Sequence, residues 1–332
     1  MKNGIYIYGI IKTSNPQEFG AIGIGDRPTS VATLAFKDIA AVVSESHYTI
    51  YDSLAKEKTV KGLVAHQFVL EKVMASFTVL PVKFGTMVES TDKVITFLEK
   101  GYALLSDELR KMEGKIELDV VAQLEMPKVM AAIYRDSPHI QSKQREFALK
   151  GNQVAVEEKV TLGQLVAECI QTRKTSSTQL VLQALKDEAV DLCLHDVISD
   201  EMILNTAFLL EKKHEESFNE AVILLDQKLE NSVNFRVVGP LPPYSFATIL
   251  LENIAPDSVE AARKTLALYG ELTDKSVRDA YRQLAQKSHP DTAGSADIQD
   301  FSRLHIAYKT LKNVVAHGMT RVEVYRWEKD LS

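Results

Sequence analysis

Hydrophobic positions along the chain switch repeatedly between a period of two and a period near that of a helix. Ile5–Ile11 is rich in β-branched and aromatic residues and predicts a strand, closed by a polar segment containing Pro16. Val31–Phe36 and Ile39–Ser44 predict two more strands. The pattern then changes: Val60, Leu63, Val64, Leu70, Met74 and Phe77 share one face of a helix with about 3.6 residues per turn. Val79–Phe84 reads as a strand and Asp92–Met112 as a helix. Strands before and between helices define an α+β class, arranged as in ferredoxin-like sandwiches.

A second α+β unit is expected from about Lys115. Ile116–Leu124 predicts a strand, and Pro127 opens a helix after it. Residues 137–152 are polar and read as a surface excursion. Two helices are expected over Val156–Arg173 and Ser177–Leu194, joined by Lys174-Thr175-Ser176, which offers good N-cap residues. Met202–Leu209 predicts a strand, and Phe218, Val222, Leu225 and Leu229 a helix. Phe235–Val238 reads as a strand running into Gly239-Pro240-Leu241-Pro242-Pro243, and Phe246–Leu251 as another strand or a short helix. Ala255-Pro256-Asp257-Ser258 is the best linker. The expected domains are therefore 1–113, 114–254 with a helical insertion, and a helical module with its tail at 258–332; Val322–Trp327 alternates enough for a strand.

In that last module Val277, Tyr281, Leu284 and Ala285 form an apolar stripe on one predicted helix, Thr273–Lys287. Lys275, Arg278, Arg282 and Lys287 fall largely on its other side, interrupted by Asp279. Phe301, Leu304, Tyr308, Leu311 and Val315 form the facing stripe on the next helix, so the two predict a helical hairpin. Between them stands His289-Pro290-Asp291. The proline excludes the residue before it from helical geometry, so the turn presents one imidazole and one carboxylate at the hairpin's tip.

Composition adds exclusions. At 332 residues, with 45% hydrophobic and 25% charged residues, the chain is of ordinary globular type and long enough for two or three cores. A net charge of −6 gives no general basic field for nucleic acid. The two cysteines, Cys169 and Cys193, suit buried thiols in a reducing compartment, which makes the cytoplasm the expected location. No apolar run approaches the roughly 20 residues needed to span a bilayer, and Met1–Ile11 reads as a strand rather than a signal peptide.

The chemical motifs mostly point away from catalysis. Gly20, Gly23 and Gly25 are not spaced as a nucleotide loop and are followed by Arg27-Pro28. Cys193 and His195 lack a second pair to complete a zinc site. His47, His139, His214 and His305 are scattered, and His66 lies near the apolar face of its predicted helix, as a core or boundary histidine. No nucleophile elbow or His-Glu-x-x-His sequence is present. No enzyme activity, metal or cofactor is expected.

Two resemblances sharpen this reading. Tyr281-Arg282-Gln283-Leu284-Ala285, then His289-Pro290-Asp291, then Phe301, Ala307-Tyr308 and Leu311 resemble a J domain of the DnaJ type, with Leu266–Gly270 similar to its short first helix. Ser288 and the segment 292–300 depart from the usual pattern. This resemblance implies docking of His289, Pro290, Asp291, Lys275, Arg278, Arg282 and Lys287 on a DnaK-type chaperone, whose ATPase is thereby stimulated. The larger part resembles the gas vesicle GvpL/GvpF family. The carrying residues are Tyr6-Ile7-Tyr8-Gly9-Ile10; His66 and Leu70-Glu71; Val79–Thr86; Gly114–Leu118; and Arg236–Phe246. Lys83 and Leu241 stand where arginine and tryptophan are usual. This resemblance implies a cytoplasmic, vesicle-associated accessory or minor structural protein that binds the shell protein and other gas vesicle proteins. Tyr244 and Phe246, on a proline-stiffened segment, are the expected contacts for those partners, unless that segment is a packed connection inside the domain.

Overall fold

A computed structural model describes residues 3–25, 27–47, 56–287 and 298–327. Two units are distinguished: Met1–Lys111 with Thr248–Tyr325, and Met112–Ala247 with Arg326–Ser332.

In the first unit β1 (Asn3–Ile11), β2 (Glu18–Gly23), β3 (Thr29–Phe36), β4 (Ile39–His47), β5 (Val79–Pro81) and β6 (Met87–Val88) form an antiparallel sheet. Its order is β2-β3-β4-β1-β5, and β6 also pairs with β1. Helices α1 (Lys56–Met74) and α2 (Thr91–Met112) add Val69, Leu70 and Val73, and Phe97, Leu98, Leu105 and Leu109, to the buried core. β1 is buried along its length, with Tyr6, Ile7, Tyr8, Ile10 and Ile11 all enclosed. Gly9 allows this: a Cβ there would lie 2.7 Å from Val79 Cγ2 and 2.9 Å from both Leu70 Cδ2 and the Leu80 carbonyl oxygen.

This unit holds one strand beyond those expected and corrects one expectation. Residues 18–23 form a strand, β2, although glycines break up its alternation. The buried face of α1 is His66, Val69, Leu70 and Val73, at helical spacing; Val60, Leu63 and Val64 are exposed. On that buried face His66 meets Tyr6, and Leu70 packs where a side chain at Gly9 would stand.

The same unit takes in much of the C-terminal part. β11 (Thr248–Asn253) meets the sheet through a parallel bridge between Val82 and Ile249, and the Lys83 N–H donates to the Ile249 carbonyl at 2.9 Å. β12 (Thr320–Tyr325) pairs antiparallel with β11 over its whole length. Between these strands run α8 (Pro256–Thr265), α9 (Asp274–Lys287) and α10 (Ile298–His317). They share a small core of Val259, Ala262, Leu266, Val277, Leu304, Ala307 and Leu311. The expected linker at 255–258 is the start of α8, with Pro256 in its first turn. Leu266–Gly270 is the turn after that helix, with Ala267 at φ 51°.

The second unit is built on a four-stranded antiparallel sheet of order β10-β7-β9-β8: β7 (Lys115–Leu124), β8 (Asp191–Leu194), β9 (Met202–Glu211) and β10 (Val233–Leu241). Ile116, Leu118, Val120, Ala122 and Leu124 of β7 all join its main core, as the two-residue period of a strand requires. α3 (Met126–Asp136), α4 (Pro138–Lys150), α5 (Val156–Lys186) and α6 (Glu215–Lys228) supply the rest of that core; α7 (Tyr244–Ala247) is a single turn.

Here too the sequence misled in two places. Residues 138–150 are helix α4, opened by Pro138 and anchored by buried Ile140, with ion pairs from Glu146 to Lys143 and Lys150. Residues 156–186 are one helix, followed by β8. The expected capping segment lies inside this helix, and the Thr178 hydroxyl just after it bonds back to the Lys174 carbonyl at 2.8 Å.

Candidate functional site

The segments that carried the family resemblance come together in each unit as buried polar clusters. In the first unit the Tyr6 hydroxyl accepts the Gly85 N–H at 2.9 Å and lies 3.0 Å from His66 Nδ1. The Tyr8 hydroxyl accepts the Ile24 N–H at 2.7 Å and bonds Ser44 Oγ at 2.8 Å. The Tyr8 and His66 rings stack at 5.7 Å, and Phe84 meets His66 edge-on. Gly85, at φ 83°, is suited to the turn that brings its N–H to Tyr6. Burial holds the His66 imidazole down to about 4, so it is neutral at physiological pH. It serves as a buried hydrogen-bond partner and is not poised as a general base near neutrality.

In the second unit Glu117 and Asp119 lie two positions apart on β7, on the face opposite its core residues. The Ser245 N–H donates to Glu117 Oε2 at 2.8 Å, and the Ser245 hydroxyl lies 2.9 Å from Oε1. Gly239, at φ 150° and joined to Pro240 by a cis peptide, lets the chain close on β7: a Cβ there would lie 2.5 Å from Leu118 Cδ2. Burial, then the Asp119 charge, raises the Glu117 carboxyl to about 8, and burial also raises Asp119. His195 Nε2 is 3.3 Å from Ser245 Oγ. Trp327 closes the cluster: its N–H donates to the Ser245 carbonyl at 2.9 Å, its carbonyl accepts the Cys193 thiol at 3.2 Å, and its ring meets His195 edge-on. Burial pushes the Cys193 thiol up to about 11, which makes it a poor nucleophile. A hydroxyl beside an imidazole could suggest acyl transfer. This hydroxyl is buried and committed to a carboxyl group, so the arrangement joins chain to chain. Among the described residues no group of three or more histidine, cysteine or acidic residues is arranged to hold a metal.

Glu117, Asp119, Ser245 and Trp327 do not stand out as a set in the sequence. The available signal was a pair of acidic residues at alternate positions of an otherwise apolar strand. Of the two aromatic residues expected at a partner surface, Phe246 is buried and Tyr244 half-buried. On α9 the exposed residues Lys275, Arg278 and Arg282 follow at spacings of three and four, with Arg278 ion-paired to Asp274. Val277, Tyr281 and Leu284 take the other side, where Tyr281 stacks on Tyr308 of α10 at 4.5 Å. Lys287 ends α9; its side chain and His289, Pro290 and Asp291 lie outside the described residues. No helix among the described residues is long and apolar enough to cross a membrane.

The fold and these clusters define a mixed α+β protein with antiparallel sheets, in which the distinctive segments act as internal ties. The family model for gas vesicle synthesis protein GvpL/GvpF matches residues 4–248, and the chain belongs to that family. Gas vesicle protein F of Streptomyces sp. (strain CB03234) is 32% identical over 244 residues, covering 73% of this chain and 98% of that protein. Gas vesicle protein F of Nostoc sp. (strain PCC 7120) is 29% identical over 255 residues, covering 75% and 100%. The crystal structure of GvpF from Microcystis aeruginosa superposes with a TM-score of 0.54 at 25% identity, covering 73% of this chain and 98% of that one. GvpF from Anabaena sp. PCC7120 gives 0.57 at 26% identity, with 73% and 97% covered.

Proposed function

We propose that this chain is an accessory protein of gas vesicle assembly that holds vesicle proteins through its family part and recruits a DnaK-type chaperone through its C-terminal helices. In this reading residues 1–113 act as a ferredoxin-like domain, 114–254 as a second α+β domain with a helical insertion, and 258–332 as a J-like module with its tail. Its place of action is the cytoplasm, at forming vesicles, with the shell protein and other gas vesicle proteins as partners.

The observation that carries the chaperone part is on α9. Lys275, Arg278 and Arg282 form an exposed basic face, while the opposite face packs on α10. His289-Pro290-Asp291 stands between these two helices in sequence. A positive helix face next to this tripeptide suits an acidic docking surface on a chaperone. Covalent linkage would then hold the chaperone near vesicle clients at an effective concentration on the order of millimolar, even if the docking itself is weak. Shell-forming surfaces are apolar and prone to aggregate before assembly, which gives such recruitment a purpose.

The test is the steady-state ATPase of the cognate DnaK-type chaperone with the purified protein and with His289→Gln. Stimulation by the first and its loss with the second is expected. Basal rates with both would overturn chaperone recruitment and leave a structural protein whose α9–α10 hairpin only binds other proteins. In that case Asp291→Asn leaves vesicle yield in cells unchanged. For the family part, deletion of the gene is expected to lower vesicle yield, and vesicle proteins are expected to co-purify with the tagged chain.

A further inference from the structure

The matched relatives and solved structures are covered almost end to end, yet they account for about three quarters of this chain. β12 lies outside the residues matched by the family model, and it pairs with β11, which begins where that match ends. The pairing is complete: six consecutive partners run from Thr248 with Tyr325 to Asn253 with Thr320, and Arg321 reaches Glu252 at 3.4 Å. The Ile254 N–H closes the end on the Met319 carbonyl at 2.8 Å.

β12 also fits a notch inside the family region. Gly101 sits in the middle of α2, where glycine costs a helix roughly 0.5–1 kcal/mol relative to alanine. A Cβ at Gly101 would lie 2.8 Å from Val322 Cγ1. The missing side chain therefore makes room for a valine supplied by the extension. β11, held on its other side by Val82 and Lys83, offers β12 a row of backbone donors and acceptors. Hydrogen-bonding backbone, a side-chain notch and a charge partner are the components of a strand-docking site.

The strand that fills the site hangs on a short hinge. α10 ends at His317 and β12 begins at Thr320, leaving Gly318 and Met319 between them. Gly318 has φ 73°, a conformation that favours glycine, and open space where a Cβ would be. Short hinges of this kind are where proteins exchange identical elements between copies. We propose that the outer edge of β11, with the Gly101 notch, is a strand-docking site that the Thr320–Tyr325 segment of a second copy of this chain can occupy in place of the chain's own β12. This exchange would link copies through a site that is incomplete without the donated strand.

The experiment replaces the hinge with Gly318→Val, because a β-branched residue resists that φ. Size-exclusion chromatography with light scattering should show the variant at twice the 37.0 kDa chain mass, and the wild type mostly at one chain mass. Adding Gly101→Leu, which fills the notch, should abolish the dimer. A folded Gly318→Val chain that stays monomeric, or a dimer indifferent to Gly101→Leu, overturns the proposal. Should the hinge variant not fold, a labelled peptide of residues 318–327 is titrated into the full chain carrying Val322→Asp and Val324→Asp, which expel its own strand. Binding should be about tenfold or more tighter than to the wild-type chain, whose edge is already filled. Equal binding of a scrambled peptide, or no binding, overturns the proposal.

Discussion

Ser245 is tied twice to Glu117, 128 positions away in the chain: its N–H reaches one carboxyl oxygen at 2.8 Å and its hydroxyl lies 2.9 Å from the other. Burial and the Asp119 charge raise Glu117 from the ordinary 4.5 to about 8, against the pull of the two serine donors. Between those values the folded chain holds a proton that the unfolded chain releases. Stability from this group is therefore full below about 4.5 and is lost as pH rises through 8, with a limiting slope of about 1.4 kcal/mol per pH unit. Urea unfolding at pH 7, 7.5 and 8, above the range in which His66 binds a proton on unfolding, should show this decline. Glu117→Gln keeps the shape without the ionisation and should flatten it, ending as stable as the wild type or more so at pH 8. Parallel slopes in the two proteins would refute the buried proton.

His66 predicts the opposite slope. Burial lowers its imidazole from 6.5 to about 4, so the unfolded chain binds a proton that the folded one excludes. Its contribution is present above 6.5 and is lost as pH falls toward 4. Between 4.5 and 6.5 the His66 and Glu117 slopes oppose each other, so His66→Gln should expose a fall in stability with rising pH there and leave the alkaline side unchanged. The Tyr6 hydroxyl belongs to the same cluster: Tyr6→Phe leaves the Gly85 N–H and His66 Nδ1 without it, and should cost about 1–3 kcal/mol in urea unfolding. A loss under about 0.5 kcal/mol would mean that water replaces the hydroxyl there.

The residues that misled the sequence reading show what local pattern can carry. β7 was legible because each core residue of Ile116–Leu124 sits at an even position, a period that survives without tertiary information. β2 was not, because Gly20 and Gly23 dilute the alternation. Lys174-Thr175-Ser176 has the composition of a helix cap yet lies inside α5, which runs unbroken through it. The segments around Tyr6, Val79–Thr86 and Gly239–Phe246 were legible as a family pattern but not as a site. Pairing Glu117 with Ser245, or Gly85 with Tyr6, depends on chain closures no window of sequence contains.

Glycine offers a contrast within one protein. Gly239→Ala combines φ 150° with a Cβ 2.5 Å from Leu118 Cδ2 and 2.9 Å from the Glu117 carbonyl oxygen, so it should destabilise by about 1–3 kcal/mol or more. Gly163 lies in α5 with nothing within 4 Å of an added Cβ. Gly163→Ala should therefore stabilise by about 0.5–1 kcal/mol. Thermal unfolding of the two variants decides both, and a stable Gly239→Ala would show that the closure onto β7 is looser than its contacts indicate.

The inverted face of α1 gives the last prediction. Val64 is 64% exposed and Leu63 50%, while Val69 and Leu70, one to two turns later, are fully enclosed, Leu70 against Gly9. Apolar content alone would place both groups inside. The packing instead predicts that Leu63→Glu and Val64→Glu each change unfolding free energy by no more than about 0.5 kcal/mol. Leu70→Ala removes carbon packed against the Gly9 position and should cost about 2–5 kcal/mol. Urea unfolding of the three variants separates the faces: a glutamate at position 64 that costs as much as the alanine at position 70 would show that Val64 is buried after all. If the exposed face instead meets vesicle proteins, the glutamate variants should keep full stability in isolation and recover less vesicle protein in co-purification, a loss that unfolding cannot explain.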